Sequence, residues 1–243
     1  MNVKAKHIGI VGCSAEGAAL CYRTICTEGA EFMGEHNHPE ISMHTYPLAR
    51  YTPYFPKQEW KPVAELMISS AEKVAQLGAA FAICPDNTIH QAMEYVYEKM
   101  PIPWLHIAEV AADEAVRNSY QHIGVLGTKF LMTGPVYGDA LNAKRLEHSI
   151  PNEDERENIN RIIFSELVYG KFLAESRGYF NRVIQRLQDE HHCDAVVLGC
   201  TEIPLLIIPE ESPLPVLDST RLLARAALLE AIGKGKYNFV VSD

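Results

Sequence analysis

A cysteine at the end of a predicted strand is the side chain from which a reaction can be argued most directly. Residues 195–198, which follow Asp194, form a short apolar run rich in branched side chains, which predicts a buried parallel strand, and Gly199 ends the run. Cys200, Thr201 and Glu202 follow at the carboxyl end of that strand, where open α/β sheets bind their ligands. The N–H groups of a following helix would favour the thiolate, the form of cysteine that accepts a proton. A cysteine that is simply packed in the core is the competing interpretation.

An internal repeat places a second polar turn at an equivalent position. Three pairs of segments match in the same order along the chain: 7–13 with 122–128, 80–86 with 194–200, and 103–106 with 215–218. Matches at nearly constant offset indicate two halves made by duplication. The alternation of strands and helices predicts parallel sheets with right-handed crossovers. We therefore predict an α/β fold of two pseudo-symmetric lobes, each a mainly parallel sheet flanked by helices, with the active site between the lobes.

The repeat also predicts the lobe boundaries. The N-terminal lobe comprises residues 1–106 together with 219–243, because the last helix is expected to return to it. The C-terminal lobe comprises residues 107–218, and its first segment carries the chain across from the N-terminal lobe.

The aligned turns suggest a proton-transfer reaction. If residues 86–88 and 200–202 face one bound molecule, Asp86 and Cys200 can invert a carbon atom, because one group removes the α-proton and the other protonates the opposite face. Cys84 is an alternative to Asp86. Glu202 could bind the substrate or tune the thiol of Cys200. Five short side chains could hold a substrate carboxylate alongside helix-start N–H groups: Ser14, Asn87, Thr88, Thr128 and Thr201.

Composition restricts the partners. The formal net charge of -9 argues against nucleic-acid binding, and it means that an acidic substrate must be bound by local donors rather than by the overall field. No apolar run approaches the roughly 20 residues of a membrane helix, and we recognise no signal peptide. The six cysteines lack CxxC spacing, which indicates free thiols in a reducing compartment. We expect a cytoplasmic protein that acts on a small amino acid or dicarboxylate.

Five motifs resemble those of the aspartate/glutamate racemase family, the cofactor-independent amino-acid racemases. They lie at residues 8–12, 87–90, 122–128, 198–204 (Leu-Gly-Cys-Thr-Glu-Ile-Pro) and 217–220, so the resemblance spans nearly the whole chain. It implies a pseudo-symmetric two-lobe fold, a homodimer, and catalysis without pyridoxal phosphate (PLP) or a metal ion. It also implies one catalytic cysteine from each lobe.

The sequence departs from this family at the first catalytic position. Asp86 stands where the family has a cysteine, and Cys13-Ser14 replaces part of the usual glycine-rich first turn. Asp86 can serve as the second base, although a carboxylate is a weaker base than a thiolate unless burial raises its pKa. Alternatively, Cys84 reaches the site, or Cys200 works without a second base.

We predict a PLP-independent racemase of aspartate/glutamate type, and two alternatives stay open. One is a one-cysteine enzyme of the same fold, either a decarboxylase or a cis–trans isomerase of a small diacid. The other is a catalytically silent paralogue that binds a small carboxylate.

Overall fold

The computed structural model describes residues 5–235 and has an α/β architecture with two four-stranded parallel sheets. Its described residues divide into two compact units. The first unit runs up to Val110 and resumes at Thr220, and the second is Ala111–Ser219. The predicted fold class, two lobes that each contain a parallel sheet flanked by helices, is confirmed. The predicted lobe boundaries, 106/107 and 218/219, stay a prediction, and residues 1–4 and 236–243 of the predicted N-terminal lobe lie outside the described residues.

Strands and helices alternate along the chain. Up to residue 117 the elements are β1 (Ile8–Gly12), α1 (Ala15–Met33), β2 (Ile41–Thr45), α2 (Trp60–Gln76), β3 (Phe81–Ile83), α3 (Met93–Tyr97), β4 (Trp104–Leu105) and α4 (Ile107–Arg117). They continue as β5 (His122–Leu126), α5 (Lys129–Met132), α6 (Pro135–Ala143), β6 (Glu147–Ser149), α7 (Glu153–Ser165), α8 (Ala174–His191), β7 (Ala195–Leu198), α9 (Ile203–Leu206), β8 (Val216–Asp218) and α10 (Ser219–Ala231). Short 3-10 helices lie at Leu48–Arg50, Thr52–Lys57, Thr88–Ala92, Leu167–Tyr169 and Pro209–Glu211.

The two sheets have the same topology. Their strand orders are β2-β1-β3-β4 and β6-β5-β7-β8, and the strands are parallel throughout. Every residue of β1, β3 and β7 is buried, in keeping with the continuous apolar runs of strands covered on both faces. In the first sheet β1 pairs with β3, and in the second β5 pairs with β7, so the carboxyl ends of each pair meet at one sheet edge.

Each unit has an apolar core of its own. In the first, Ile8 and Ile10 of β1 pack with Cys21 and Ile25 of α1 and with the C-terminal helix α10. In the second, strands β5 and β7 pack with α7 and α8. Helix α7 starts at a capping box, in which Asn152 and Glu155 exchange side-chain-to-backbone hydrogen bonds.

Two glycines allow the close approach of β5 and β7 at their carboxyl ends. The N–H of Gly199 donates to Leu126 O at 2.7 Å. A Cβ atom on Gly199 would lie 2.8 Å from that carbonyl oxygen and 2.6 Å from the side chain of Leu131, and a Cβ atom on Gly127 would lie 3.0 Å from Gly199 O. Only glycine therefore fits at these positions without moving backbone atoms.

We expect Gly199→Ala to lower the free energy of unfolding by about 1–3 kcal/mol, because the added methyl group overpacks the strand ends. Gly178→Ala is the matched control. Gly178 lies inside α8, where an added Cβ would meet only a flexible arginine end at 3.6 Å, so alanine should stabilise the helix by about 0.5–1 kcal/mol. Urea denaturation of both variants measures the difference, and equal effects would contradict the packing argument.

Candidate functional site

In the first unit, the turns after β1 and β3 are joined through the carboxylate of Asp86. Its Oδ2 accepts the N–H of Cys13 at 2.8 Å, and its Oδ1 accepts the N–H of Ser14 at 3.0 Å. Ser14 is the N-cap of the 19-residue helix α1, and its hydroxyl accepts the N–H of Gly17. The Asp86 side chain is only 8 % exposed. A buried carboxylate is therefore held at a helix N-terminus, where N–H donors and the helix dipole favour a negative charge.

A buried histidine supports the backbone of the same turn. Nδ1 of His90 donates to the carbonyl oxygen of Asp86 at 2.9 Å, and the His90 ring meets the His106 ring edge to face at 4.6 Å. Nε2 of His90 is buried without a hydrogen-bond partner. Burial lowers the pKa of His90 to about 4, although its hydrogen bonds to the backbone of Asp86 and Asn87 act in the opposite direction. Burial and the adjacent His90 lower the pKa of His106 well below its ordinary value.

Cys84 and Tyr51 are neutral neighbours of this turn. The Cys84 thiol is fully buried and lies 3.8 Å from the carbonyl oxygen of Asp86. Burial raises the pKa of Cys84 well above its ordinary value, and the charge of Asp86 adds to the increase. Burial raises the pKa of Tyr51 as well, and the nearby Cys13, Cys84 and Asp86 add to the increase. The two residues predicted next to Asp86, Asn87 and Thr88, are also buried.

A cationic cluster, which the sequence analysis missed, lies at the carboxyl end of β2. Nζ of Lys73 donates to the Tyr46 hydroxyl at 2.7 Å and to Ser69 Oγ at 2.9 Å, and the Arg50 guanidinium lies 4.4 Å from the centroid of the Tyr46 ring. Hydrogen bonds from Lys73 and then Ser69 lower the pKa of Tyr46. Burial and the charge of Lys73 lower the pKa of His44, whose Nδ1 lies 2.9 Å from Ser70 Oγ. Two features of the sequence could have predicted this cluster. Ser69 and Lys73 are four residues apart on one helix, and a tyrosine comes directly after a predicted strand.

In the second unit, Cys200 and Glu202 are paired. Sγ of Cys200 lies 2.9 Å from Oε2 of Glu202, and the Thr201 hydroxyl donates to the same oxygen at 2.8 Å. Cys200 is 9 % exposed and also contacts the apolar core, and Glu202 is 4 % exposed. The Cys200 thiol therefore contacts a buried carboxylate as well as apolar side chains.

The remaining predicted residue of this unit, Thr128, follows the neighbouring strand β5. It is the N-cap of the short helix α5, and its hydroxyl accepts the N–H of Leu131 at 3.2 Å. Because β5 and β7 are paired up to Leu126 and Leu198, Thr128 and Cys200 come two residues after paired strand ends. Ser219, at the end of β8, donates to the carbonyl oxygen of Leu198 at 2.9 Å.

The structure thus groups the predicted residues by unit. Ser14, Cys84 and residues 86–88 lie at the carboxyl edge of the first sheet, and Thr128 with residues 200–202 lies at the carboxyl edge of the second. Within residues 5–235, no three His, Cys, Asp or Glu side chains are grouped closely enough to hold a metal ion. Among the helices in that range, none has the length and apolar character needed to span a membrane.

Comparison with known proteins identifies relatives over most of the chain. The model of the family described as Asp/Glu/Hydantoin racemase matches residues 10–227. The broad specificity amino-acid racemase RacX of Bacillus subtilis is 21% identical over 194 residues, which are 79% of this chain and 82% of RacX.

Two solved structures share the fold. PH1733 of Pyrococcus horikoshii, an aspartate racemase homologue, superposes with a TM-score of 0.80 at 27% identity, over 93% of this chain and 99% of that one. A Yersinia pestis protein with a provisional Asp/Glu racemase assignment superposes with a TM-score of 0.84 at 29% identity, over 93% and 99% of the two chains.

Because His90 is buried, it lowers the free energy of unfolding as the pH becomes acidic. Its pKa in the folded protein is about 4 against an ordinary value of 6.5, so the unfolded chain binds more protons between these pH values. The stabilisation is complete above pH 6.5 and is lost as the pH falls towards 4, with a total of about 3 kcal/mol. Over this range, the free energy of unfolding should decrease less in His90→Gln than in the wild type, as measured by urea denaturation. His36→Gln, at an exposed histidine, is the control and should follow the wild type.

Proposed function

This chain belongs to the Asp/Glu/hydantoin racemase family of isomerases, and on that basis we propose that it racemises acidic amino acids by two-base proton transfer at the α-carbon. Cys200 serves one face of that carbon and Asp86 the other. The observation that carries the proposal is the hydrogen-bond contact between the thiol of Cys200 and the buried carboxylate of Glu202. This contact gives the thiol a carboxylate as hydrogen-bond acceptor, which a cysteine that merely fills a core does not need.

Asp86 is better suited than Cys84 to be the second base. Two N–H groups donate to its carboxylate oxygens, and hydrogen bonds of this kind favour the charged form of a carboxyl group, which can accept a proton from substrate. Cys84 is fully buried, and its raised pKa keeps it as a thiol, which cannot accept a proton. We therefore assign Cys84 to the packing of the turn and Asp86 to proton exchange.

Proton transfer then proceeds in two balanced steps. The Asp86 carboxylate takes the α-proton and becomes a carboxylic acid, and the electron pair of the broken C–H bond stays on the α-carbon. The Cys200 thiol donates its proton to the opposite face of that carbon and becomes a thiolate. The enantiomer leaves, and exchange with solvent removes the proton from Asp86 and returns one to Cys200. Starting from the other enantiomer, the two groups exchange roles.

Hydroxyl and amide groups at the two sheet edges are the proposed contacts of the substrate α-carboxylate. A hydroxyl that accepts the N–H of a helix start still carries a proton to donate, which applies to Ser14 and Thr128. Asn87, Thr88 and Thr201 complete this proposed set. Glu202 is assigned to Cys200 rather than to the substrate, because its carboxylate accepts hydrogen bonds from Cys200 and Thr201.

The cationic cluster supports an acidic substrate. The protein has a net charge of -9, so local cations must attract a second carboxylate. Arg50 and Lys73 supply two positive charges beside Tyr46, at the same edge of the first sheet as Asp86. We propose that they bind the side-chain carboxylate. We also expect a cytoplasmic homodimer that needs neither PLP nor a metal ion.

Isotope exchange tests the reaction. In heavy water, purified enzyme should convert L-aspartate or L-glutamate into the D-enantiomer with deuterium at Cα, as measured by NMR and chiral chromatography.

Cys200→Ser should lower kcat by about 10²–10⁴-fold, because the alcohol is too weak an acid to replace the thiol. Cys26→Ser, at a half-buried cysteine of α1, should keep the wild-type rate. Absence of deuterium in a broad panel of amino acids, or full activity of Cys200→Ser, would rule the mechanism out.

Replacing Arg50 tests whether this residue binds the side-chain carboxylate of the substrate. Losing a charge-assisted hydrogen bond costs about 1.5–3 kcal/mol, so Arg50→Gln should raise KM for aspartate and glutamate about 10- to 100-fold. The kcat value should change little, and KM for a neutral amino acid should stay unchanged. Arg182→Gln, at an exposed arginine of α8, is the matched control. An equal rise of KM for acidic and neutral substrates would show that Arg50 does not bind the side-chain carboxylate.

A further inference from the structure

We propose that each unit carries a second nucleophilic centre, a serine–histidine–glutamate triad at the amino end of its parallel sheet, which accepts the acyl group of small activated esters and releases it to water. This activity goes beyond the proposed racemase function and does not depend on it. The residues are Ser42, His7 and Glu40 in the first unit and Ser149, His122 and Glu147 in the second.

The second unit contains the shorter set of contacts. Nε2 of His122 lies 2.8 Å from Oγ of Ser149, and Nδ1 of the same ring lies 3.6 Å from Oε2 of Glu147. The carboxylate favours the tautomer that carries its proton on Nδ1, so that Nε2 can accept the proton of the serine hydroxyl. A serine that contacts a histidine oriented by a carboxylate is the arrangement that activates an oxygen nucleophile.

The first unit repeats these contacts with the same atoms. Nε2 of His7 lies 2.9 Å from Oγ of Ser42, and Nδ1 of the ring lies 3.9 Å from Oε1 of Glu40. In both units the contact between Nδ1 and the carboxylate is long for a hydrogen bond, as catalytic contacts often are before a substrate binds. The ring nitrogens nevertheless have the same assignment twice, with Nε2 towards serine and Nδ1 towards glutamate.

Strand register explains why the triad forms in both units. Ser42 is paired with Gly9, and Ser149 is paired with Gly124. In each unit the histidine precedes that glycine by two residues, and the glutamate precedes the serine by two residues. Because alternate residues of a strand point to the same face, the three side chains share one face of the sheet. The glycine adds no side chain that would separate the histidine from the serine.

Each triad lies at the opposite end of its sheet from the candidate racemase residues. His7 directly precedes β1 and His122 begins β5, whereas Asp86 and Cys200 follow the carboxyl ends of β3 and β7. The serines are half-buried on the edge strands β2 and β6, and the glutamates are exposed. A small ester can therefore approach the serine oxygen from solvent without entering the candidate racemase site.

One neighbour of Ser149 has no counterpart in the first unit. The Cys193 thiol is in hydrogen-bond contact with Ser149. Burial raises the pKa of Cys193 to about 11, the contact with Ser149 opposes this increase, and the charge of Asp194 adds to it. The thiol therefore stays protonated at pH 7 and does not compete with His122 for the serine proton. Ala79 stands at the equivalent position of the first unit.

The proposed reaction has two balanced steps. The serine oxygen attacks the carbonyl carbon of the ester while its proton moves to Nε2 of the histidine. The bond between that carbon and the alcohol oxygen then breaks, and the histidine gives its proton to the departing alcohol. A water molecule attacks the acyl-serine in the same way, which releases the carboxylic acid and restores the serine hydroxyl.

Labelling with a fluorophosphonate probe, in which the serine oxygen displaces fluoride, tests the proposal. Mass spectrometry with peptide mapping should find one adduct on Ser42 and one on Ser149 of the wild type. Ser42→Ala and Ser149→Ala should each lose one adduct, and the double variant should hydrolyse p-nitrophenyl acetate at least about tenfold more slowly. Ser212→Ala is the matched control, because Ser212 is half-buried and its hydroxyl donates to a backbone carbonyl oxygen, and it should keep both adducts.

Replacing the histidine gives a readout that a purely structural hydrogen bond would not change. His122→Gln keeps a hydrogen-bonding side chain but removes the base, so the labelling rate of Ser149 should fall by about 10²-fold or more. Glu147→Gln should lower the same rate by about threefold or more. Labelling of Ser42 in the same molecules should keep its rate, which shows that both variants are folded. His148→Gln, at the exposed neighbouring residue, is the control.

The outcomes are independent of the racemase assay. Absence of an adduct on both serines of the folded wild type would overturn the inference, as would an adduct on Cys193 in place of Ser149. A labelling rate of Ser149 that is unchanged in His122→Gln would also overturn it, because the serine would then react without its histidine. None of these results would affect isotope exchange at the α-carbon, which tests the proposed function separately.

Discussion

Parallel pairing of neighbouring strands is the constraint on which the candidate site depends. Because β1 pairs with β3 and β5 with β7 in parallel register, the turns that follow each pair emerge at one sheet edge. The carboxylate of Asp86 can then reach the N–H groups after β1, and Gly127 can pass close to Gly199 after β5. An antiparallel arrangement would place these turns at opposite ends of the sheet and separate the groups.

The two units use one scaffold to create different electrostatic environments. In the first, backbone N–H groups at the start of a long helix donate to the carboxylate of Asp86. In the second, the thiol of Cys200 lies against the carboxylate of Glu202. The two units therefore share one strand order, whereas the side chains at their equivalent turns differ.

Two neutral side chains contact the buried turn that contains Asp86. His90 donates to the backbone carbonyl of Asp86, and Cys84 lies against the same carbonyl, so both contact the turn without adding charge. Placing an ion pair there would impose a desolvation penalty on two groups instead of one. Two cations of the first unit, Arg50 and Lys73, lie instead around Tyr46, where side chains are partly exposed.

The sequence alone determined the fold class, and it predicted the duplication and the positions of the candidate site turns. Short segments of the sequence are enough to predict these features. Apolar runs predict buried strands, a repeated order of motifs predicts repeated topology, and residues 198–204 carry the family resemblance. Only the tertiary structure decided the partners of the candidate site groups. Asp86 with the N–H groups of residues 13 and 14, His90 with His106, and Lys73 with Tyr46 join segments that are distant along the chain. Whether a side chain is buried, charged or paired depends on those segments meeting, because desolvation and hydrogen bonding act through space rather than along the sequence.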